Sequence, residues 1–230
     1  MNVLLAGIVG STAYGLAHEG SDIDRLGVFA APTSEFHGLR LPIDKHATHV
    51  TNDPDSTVHE ARKYAQLALG GNPTVSELMW LPDNLYEVRT DLGDELISIR
   101  TAFLSAKRVR DAYFGYATSQ LRRLVDTGQF QSKMRKREAK HGRHLLRLLD
   151  QGLALYSTGS LPIRVDDPQR YVEFGERCAG NPDAAVPALK AAEDAFDRAR
   201  SPLPERPDEE TVERWLHRVR VANWNADVVG

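Results

Sequence analysis

The stretch from Val3 to Asp24 constrains the fold more than any other. Residues 3–9 form a continuous apolar run, the pattern of a strand buried on both faces. Gly10-Ser11-Thr12 interrupts it, and residues 13–17 are suited to a short helix. Asp22-Ile23-Asp24 then opens a second apolar segment, residues 23–30, which Pro32 ends. A strand, a turn into a helix and a returning strand this close together require a sheet with a helical layer covering it.

The rest of the chain divides unevenly. Residues 31–45, with two prolines and scattered charge, read as a surface loop, and residues 46–50 as a weaker third strand. Residues 57–69 predict a helix, with Ala61, Tyr64, Ala65 and Ala68 on one face, stopped by Gly70-Gly71-Asn72-Pro73. A short helix over 75–80 and a strand over 85–89 close this part. From about residue 91 the period is helical, predicting helices near 91–104, 105–127, 133–157, 167–179, 186–200 and 208–222. Trp215, Leu216 and Val219 read as the packing face of the last helix. The expected class is α+β: a small mixed-sheet domain over 1–95 and a helical domain over 96–230.

Composition narrows the function classes. At 230 residues, 41% hydrophobic and 27% charged, the chain is neither a disordered nor a rod-like polymer. The single cysteine, Cys178, excludes an internal disulfide and a thiolate zinc cluster, which fits a reducing cytoplasm. The apolar N-terminal run is too short to span a bilayer and lacks a basic flank, so neither signal peptide nor membrane anchor is expected. The net charge of −3 hides an asymmetry. Residues 101–150 hold 12 Lys and Arg against 4 Asp and Glu. That segregation reads either as a surface meeting a polyanion or as the solvated face of a helix.

The chemistry concentrates at Gly10-Ser11 and Asp22-x-Asp24. A Gly-Ser turn at a helix start offers unpaired backbone N–H groups and a hydroxyl to phosphate oxygens. Alternate residues of an extended segment share a face, so Asp22 and Asp24 aim at one place. Two carboxylates beside a triphosphate suit Mg²⁺, which takes oxygen ligands from protein and phosphate together. Two such ions would activate an attacking hydroxyl and stabilise leaving pyrophosphate.

Gly10-Ser11 with Asp22-x-Asp24 resembles the signature of the DNA-polymerase-beta-like nucleotidyltransferase superfamily, and the flanking residues resemble its RNA-repair-associated, RlaP-like branch. Gly10-Ser11-Thr12-Ala13-Tyr14-Gly15-Leu16 is similar to the opening motif of that branch. Asp55-Ser-Thr-Val-His59-Glu60 resembles its third-carboxylate segment, and Gly71-Asn72-Pro73-Thr74 with Glu77-Leu78 and Trp80 another block. Lys140-His141-x-x-His144-x-x-Arg147, followed by Thr158-Gly159, is similar to its helical motif. The likeness runs from residue 1 to about 165.

The resemblance implies transfer of a nucleoside monophosphate from a nucleoside triphosphate to an acceptor hydroxyl. It also implies two Mg²⁺ ions, with Mn²⁺ able to substitute, and a cytoplasmic protein of bacterial or phage origin. Asp22, Asp24 and Asp55 would be both the catalytic carboxylates and the metal ligands. Gly10, Ser11, Lys140, His144 and Arg147 would bind nucleotide, and His59 and Glu60 would stand behind the site. For the third carboxylate, Asp53 and Glu60 remain open beside Asp55. Arg25 directly follows Asp24, where the family often has arginine two residues on, and receives no role.

An RNA end, tRNA-like in kind, is the expected acceptor, with Lys133, Arg135, Lys136 and Arg137 as candidate nucleic-acid contacts. Transfer to a small molecule or a protein, and a non-catalytic nucleotide- or RNA-binding module, are the alternatives. His141 and His144 have zinc-like spacing, but no third ligand lies nearby in sequence, so no zinc is expected.

Overall fold

β1 (Asn2–Ile8) and β2 (Arg25–Ala30) run antiparallel, with Asn2 opposite Ala30 and Ile8 opposite Arg25. In this computed structural model residues 1–37, 39, 47–125 and 131–224 are described, with side chains of the last segment described from 135 onward. Leu4, Leu5, Leu26 and Val28 are buried, as the apolar runs require of central strands. β3 (Thr48–Asn52) and β4 (Asp55–Glu60) form a hairpin, and β5 (Tyr86–Arg89) pairs with β1. The sheet order is β3-β4-β2-β1-β5, antiparallel throughout except for the parallel β2–β4 pair. The expected α+β class holds.

Three local readings change. The second strand begins at Arg25 rather than at residue 23, so Asp22 and Asp24 precede it instead of opening it. The short helix α1 (Gly10–Tyr14) begins on the Gly-Ser turn itself rather than at Ala13. Residues 57–60 are strand rather than helix. The apolar spacing that predicted the helix starts only at Ala61, where α2 (Ala61–Leu69) begins, and β-branched Thr57 and Val58 suit the strand. Glu60 is the N-cap, its side chain accepting from the Arg62 N–H at 2.8 Å. Of the expected third strand, His46 lies outside the described residues, as does most of the 31–45 loop.

α3 (Pro73–Ser76) follows, capped by Asn72, and a 3-10 turn over Glu77–Trp80 leads on to β5. Then come α4 (Asp91–Ser98), α5 (Ala106–Val125), α6 (Gln131–Thr158), α7 (Pro168–Cys178), α8 (Val186–Arg198) and α9 (Glu209–Ala222). No helix among the described residues is long and apolar enough to cross a membrane.

The chain divides into two compact units, one of residues 1–104 with 207–230 and one of residues 105–206. The expected junction near residue 95 therefore moves, and the last helix leaves the helical half. Its amphipathic pattern explains why: Val212, Trp215 and Val219 are buried, and α9 packs on α2 and α4. The Trp215 indole N–H donates to the Leu92 carbonyl at 2.9 Å. In the second unit α5 and α6 form an antiparallel pair, with Tyr113 against Gly152 and Gln120 against His141.

Candidate active site

The β1–β2 ladder ends where the Gly-Ser turn begins. The Val9 N–H donates to the Asp24 carbonyl at 2.9 Å, so the residue after Val9 and the residue before Arg25 meet at one end of the sheet. Gly10 has φ +69°, and a Cβ there would run into the Asp24 carboxylate. Only glycine accommodates both the left-handed backbone and that close approach. Val9, the N-cap of α1, contributes no side-chain hydrogen bond, and Ser11 is half-buried at the helix start. The Asp24 carboxylate thus lies against the Gly10 backbone, one residue before Ser11.

The far end of α1 is anchored from another part of the chain. The Tyr14 hydroxyl lies 2.7 and 2.6 Å from the two carboxylate oxygens of buried Glu77. Glu77 sits on the 3-10 turn that follows α3, which Asn72 caps by accepting from the Val75 N–H at 3.3 Å. The sequence block around Asn72 and Glu77 therefore holds the short helix that carries the Gly-Ser turn. Sequence reasoning noted Glu77 but missed its partner. A lone acid inside an otherwise apolar segment was the available signal.

The parallel pair brings in the second acidic segment. Arg25 is opposite Ser56, so Asp24 and Asp55 each precede the first paired residue of neighbouring strands. Alternation sends both carboxylates off the same face of the sheet. Asp22 and Asp55 are exposed and Asp24 is half-buried. Asp53 is exposed in the turn of the β3–β4 hairpin. Among the described residues, no three His, Cys, Asp or Glu form a group that could hold a metal ion. The Asp24 carboxylate stands beside the Gly10 turn, and Asp22, two residues earlier in a segment that is not strand, is exposed. Such carboxylates fit Mg²⁺, which is bound through one or two of them and completes its shell with phosphate and water.

His59 and Glu60, expected behind the site, are not brought there. Because the segment is a strand, they stand about 13 and 17 Å along it from Asp55 at roughly 3.3 Å per residue. The His59 imidazole bonds the Thr48 hydroxyl through Nδ1 at 2.9 Å, and burial followed by the nearby Lys63 charge lowers its pKa. Both Glu60 oxygens face Arg220 of α9, at 2.7 and 3.1 Å, in a pair that is largely buried. The Arg220 guanidinium also lies 4.0 Å over the Phe36 ring. Glu60 thus ties α9 to the sheet. Arg25 pairs with Glu87 on β5 at 2.9 Å.

The remaining expected residues belong to the second unit. Lys140 is exposed, and Arg147 is buried. The Arg147 guanidinium donates to the Gln151 side chain at 2.6 Å and lies 3.3 Å from His144 Nδ1. Gln151 in turn donates to the Pro162 and Ile163 carbonyls. Burial, then the charges of Arg147 and Lys140, pushes the His144 pKa down to about 3, so its imidazole is neutral and Nδ1 accepts. His144 can therefore offer a ligand one N–H bond but no positive charge. His141 Nδ1 lies 2.8 Å from the Gln120 amide oxygen. Arg135 approaches Glu176 at 3.7 Å, while Lys136 and Arg137 are exposed. The Lys133 side chain lies outside the described residues.

A model of the RlaP family, described as RNA repair pathway DNA polymerase beta family, matches residues 1–179. No curated protein matches the chain.

Proposed function

The chain belongs to the RNA repair pathway DNA polymerase beta family, and from that premise we propose that it is a Mg²⁺-dependent nucleotidyltransferase whose acceptor is the hydroxyl of an RNA end. One observation carries the reading: the Asp24 carboxylate lies against Gly10 at the opening of the Gly10-Ser11 turn. That arrangement supports a triphosphate held by the turn and a cation held beside it.

In this reading the backbone donors at the start of α1 and the Ser11 hydroxyl hold triphosphate oxygens. Asp22 and Asp24 would bind Mg²⁺, or Mn²⁺ in its place, and the ion would supply charge neutralisation at the reacting phosphates. Asp55 faces the same side of the sheet and accepts the proton of the attacking hydroxyl. The acceptor oxygen bonds to the α-phosphorus, the bond from that phosphorus to the bridging oxygen breaks, and pyrophosphate leaves. The Tyr14–Glu77 pair keeps α1, and so the donors, in place while charge redistributes.

The Arg- and Lys-rich stretch over 101–150 supports RNA as the acceptor class. Incubation with each α-labelled nucleoside triphosphate and Mg²⁺, with and without total RNA, tests the proposal. Label recovered in RNA, and absent with Asp22→Asn, is the expected result. Label in protein or in a small molecule would overturn the RNA acceptor. No transfer with any triphosphate would leave a binding module and overturn the enzyme reading.

A further inference from the structure

The α5–α6 groove carries a group of charges that nothing among the described residues neutralises. The Gln120–His141 bond sets the register of the antiparallel pair. Arg123 stands one turn beyond Gln120 on α5, and Arg137 one turn before His141 on α6, so both face the same stretch of groove. Lys140, three residues after Arg137, extends the group along that face. Among the described residues no ion pair engages Arg123, Arg137 or Lys140, and nearby Glu138 is turned away to accept from the Gly180 N–H at 2.8 Å. In their midst the Nε2 atom of His141 is buried with no hydrogen-bond partner among the described residues.

Like charges at this spacing repel one another, and an unpartnered buried nitrogen calls for an explanation. A single oxyanion answers both. We propose that Arg123, Arg137, Lys140 and His141 form a phosphate-binding subsite that engages the backbone of the RNA acceptor, with His141 taking up a proton as the phosphate binds. The subsite rests on the RNA-acceptor reading and adds to it the place where that strand is gripped.

With Gln120 accepting from Nδ1–H, Nε2 of the neutral ring presents a lone pair. Burial and then the charges of Arg123, Arg137 and Lys140 lower its pKa. The charges that act most on the ring are these three, from α5 and α6. A phosphate among the three cations cancels their repulsion of the imidazolium and raises that pKa, so binding draws in a proton. The sign follows: a ring whose pKa is higher bound than free takes up a proton on binding, so affinity rises as the pH falls.

The test is fluorescence anisotropy of a labelled single-stranded RNA against the full chain, without nucleoside triphosphate or metal, so that no transfer intervenes. Arg123→Ala and Arg137→Ala should each weaken binding roughly tenfold. Each should also flatten the dependence of log affinity on log salt by about 0.7, as expected for one lost contact to a single strand. His141→Gln should remove the rise in affinity between pH 8 and pH 6 while its melting temperature stays near that of the parent. RNA bound equally by all three variants, or a pH dependence unchanged in His141→Gln, would overturn the subsite while leaving the nucleotidyltransferase reading standing. No RNA binding by the parent, with transfer to a small molecule intact, would overturn both the subsite and the RNA acceptor. Loss of a fluorescent ATP analogue rather than RNA in Arg123→Ala would assign the phosphate to the triphosphate and overturn the proposal.

Discussion

The Gly10 turn and the α5–α6 groove are both proposed as phosphate sites, yet they are assembled by different means. At the turn, strand register does the positioning: the Val9–Asp24 backbone bond and the left-handed Gly10 bring a carboxylate against a glycine. In the groove, long side chains on two helices bring positive charge together, and one Gln–His bond sets their alignment. The turn leaves no room for a Cβ at Gly10, whereas the cations of the groove stand on exposed side chains. A turn of this kind suits the reacting phosphates, where small displacements cost rate. A charged groove suits a strand that must be held without regard to its sequence.

The sharpest way to break this contrast is at the carboxylates. Asp22→Asn and Asp24→Asn should each lower nucleotidyl transfer by more than about 100-fold, since even groups that only support metal ligands cost up to about that much. Melting temperature without metal should hold or rise slightly, because one acid leaves an acidic site. Transfer within a few-fold of the parent in both variants would end the metal-site assignment.

The Glu60–Arg220 pair separates holding the fold from doing the chemistry. Glu60→Ala leaves the Arg220 guanidinium largely buried without its carboxylate. Loss of one partner from such a pair costs about 3 kcal/mol or more, so urea denaturation should show a clear fall in stability of the first unit. At temperatures where the variant remains folded, transfer should survive. A Glu60→Ala protein that is stable but inactive would instead return Glu60 to the candidate third carboxylates.

Ser11→Ala should be milder. The backbone donors remain, and the loss of one hydrogen bond to a charged group, about 1.5–3 kcal/mol, lowers transfer efficiency on the order of ten- to a hundredfold. If Ser11→Ala proved as inactive as Asp22→Asn, the hydroxyl would be taking part in more than phosphate binding.

An effect on stability alone, with none on transfer, belongs to the helical unit and pH. His144 is held neutral when folded, with its pKa near 3, against 6.5 for the ordinary side chain. The unfolded chain therefore binds a proton below about pH 6.5 that the folded chain refuses. Stability is full above that pH and falls towards pH 3 by up to about 1.4 kcal/mol per unit for one group. His144→Gln should flatten that slope by close to one proton in denaturation followed from pH 7 to 4. An unchanged slope would mean that the folded ring protonates freely.

What could be read from the chain alone was whatever depended on neighbours in sequence. The buried run of β1, the Gly10-Ser11 break, the i, i+2 spacing of Asp22 and Asp24 and the periodic faces of α5 to α9 are local patterns, and the structure contains each element. Local pattern could not decide residues 57–60, because the helical spacing begins only at Ala61 and Thr57-Val58 serves a strand as well. Pairing with β2 made that segment a strand, carrying His59 and Glu60 away from the Asp55 end. Nor could the sequence say that α9 returns to the sheet unit, since an amphipathic helix states that it must bury a face and not which surface receives it. The Tyr14–Glu77, Glu60–Arg220 and Gln120–His141 contacts join residues 63, 160 and 21 positions apart. Such polar pairs leave no periodic trace in the sequence. Only the folded backbone brings their donors and acceptors within reach.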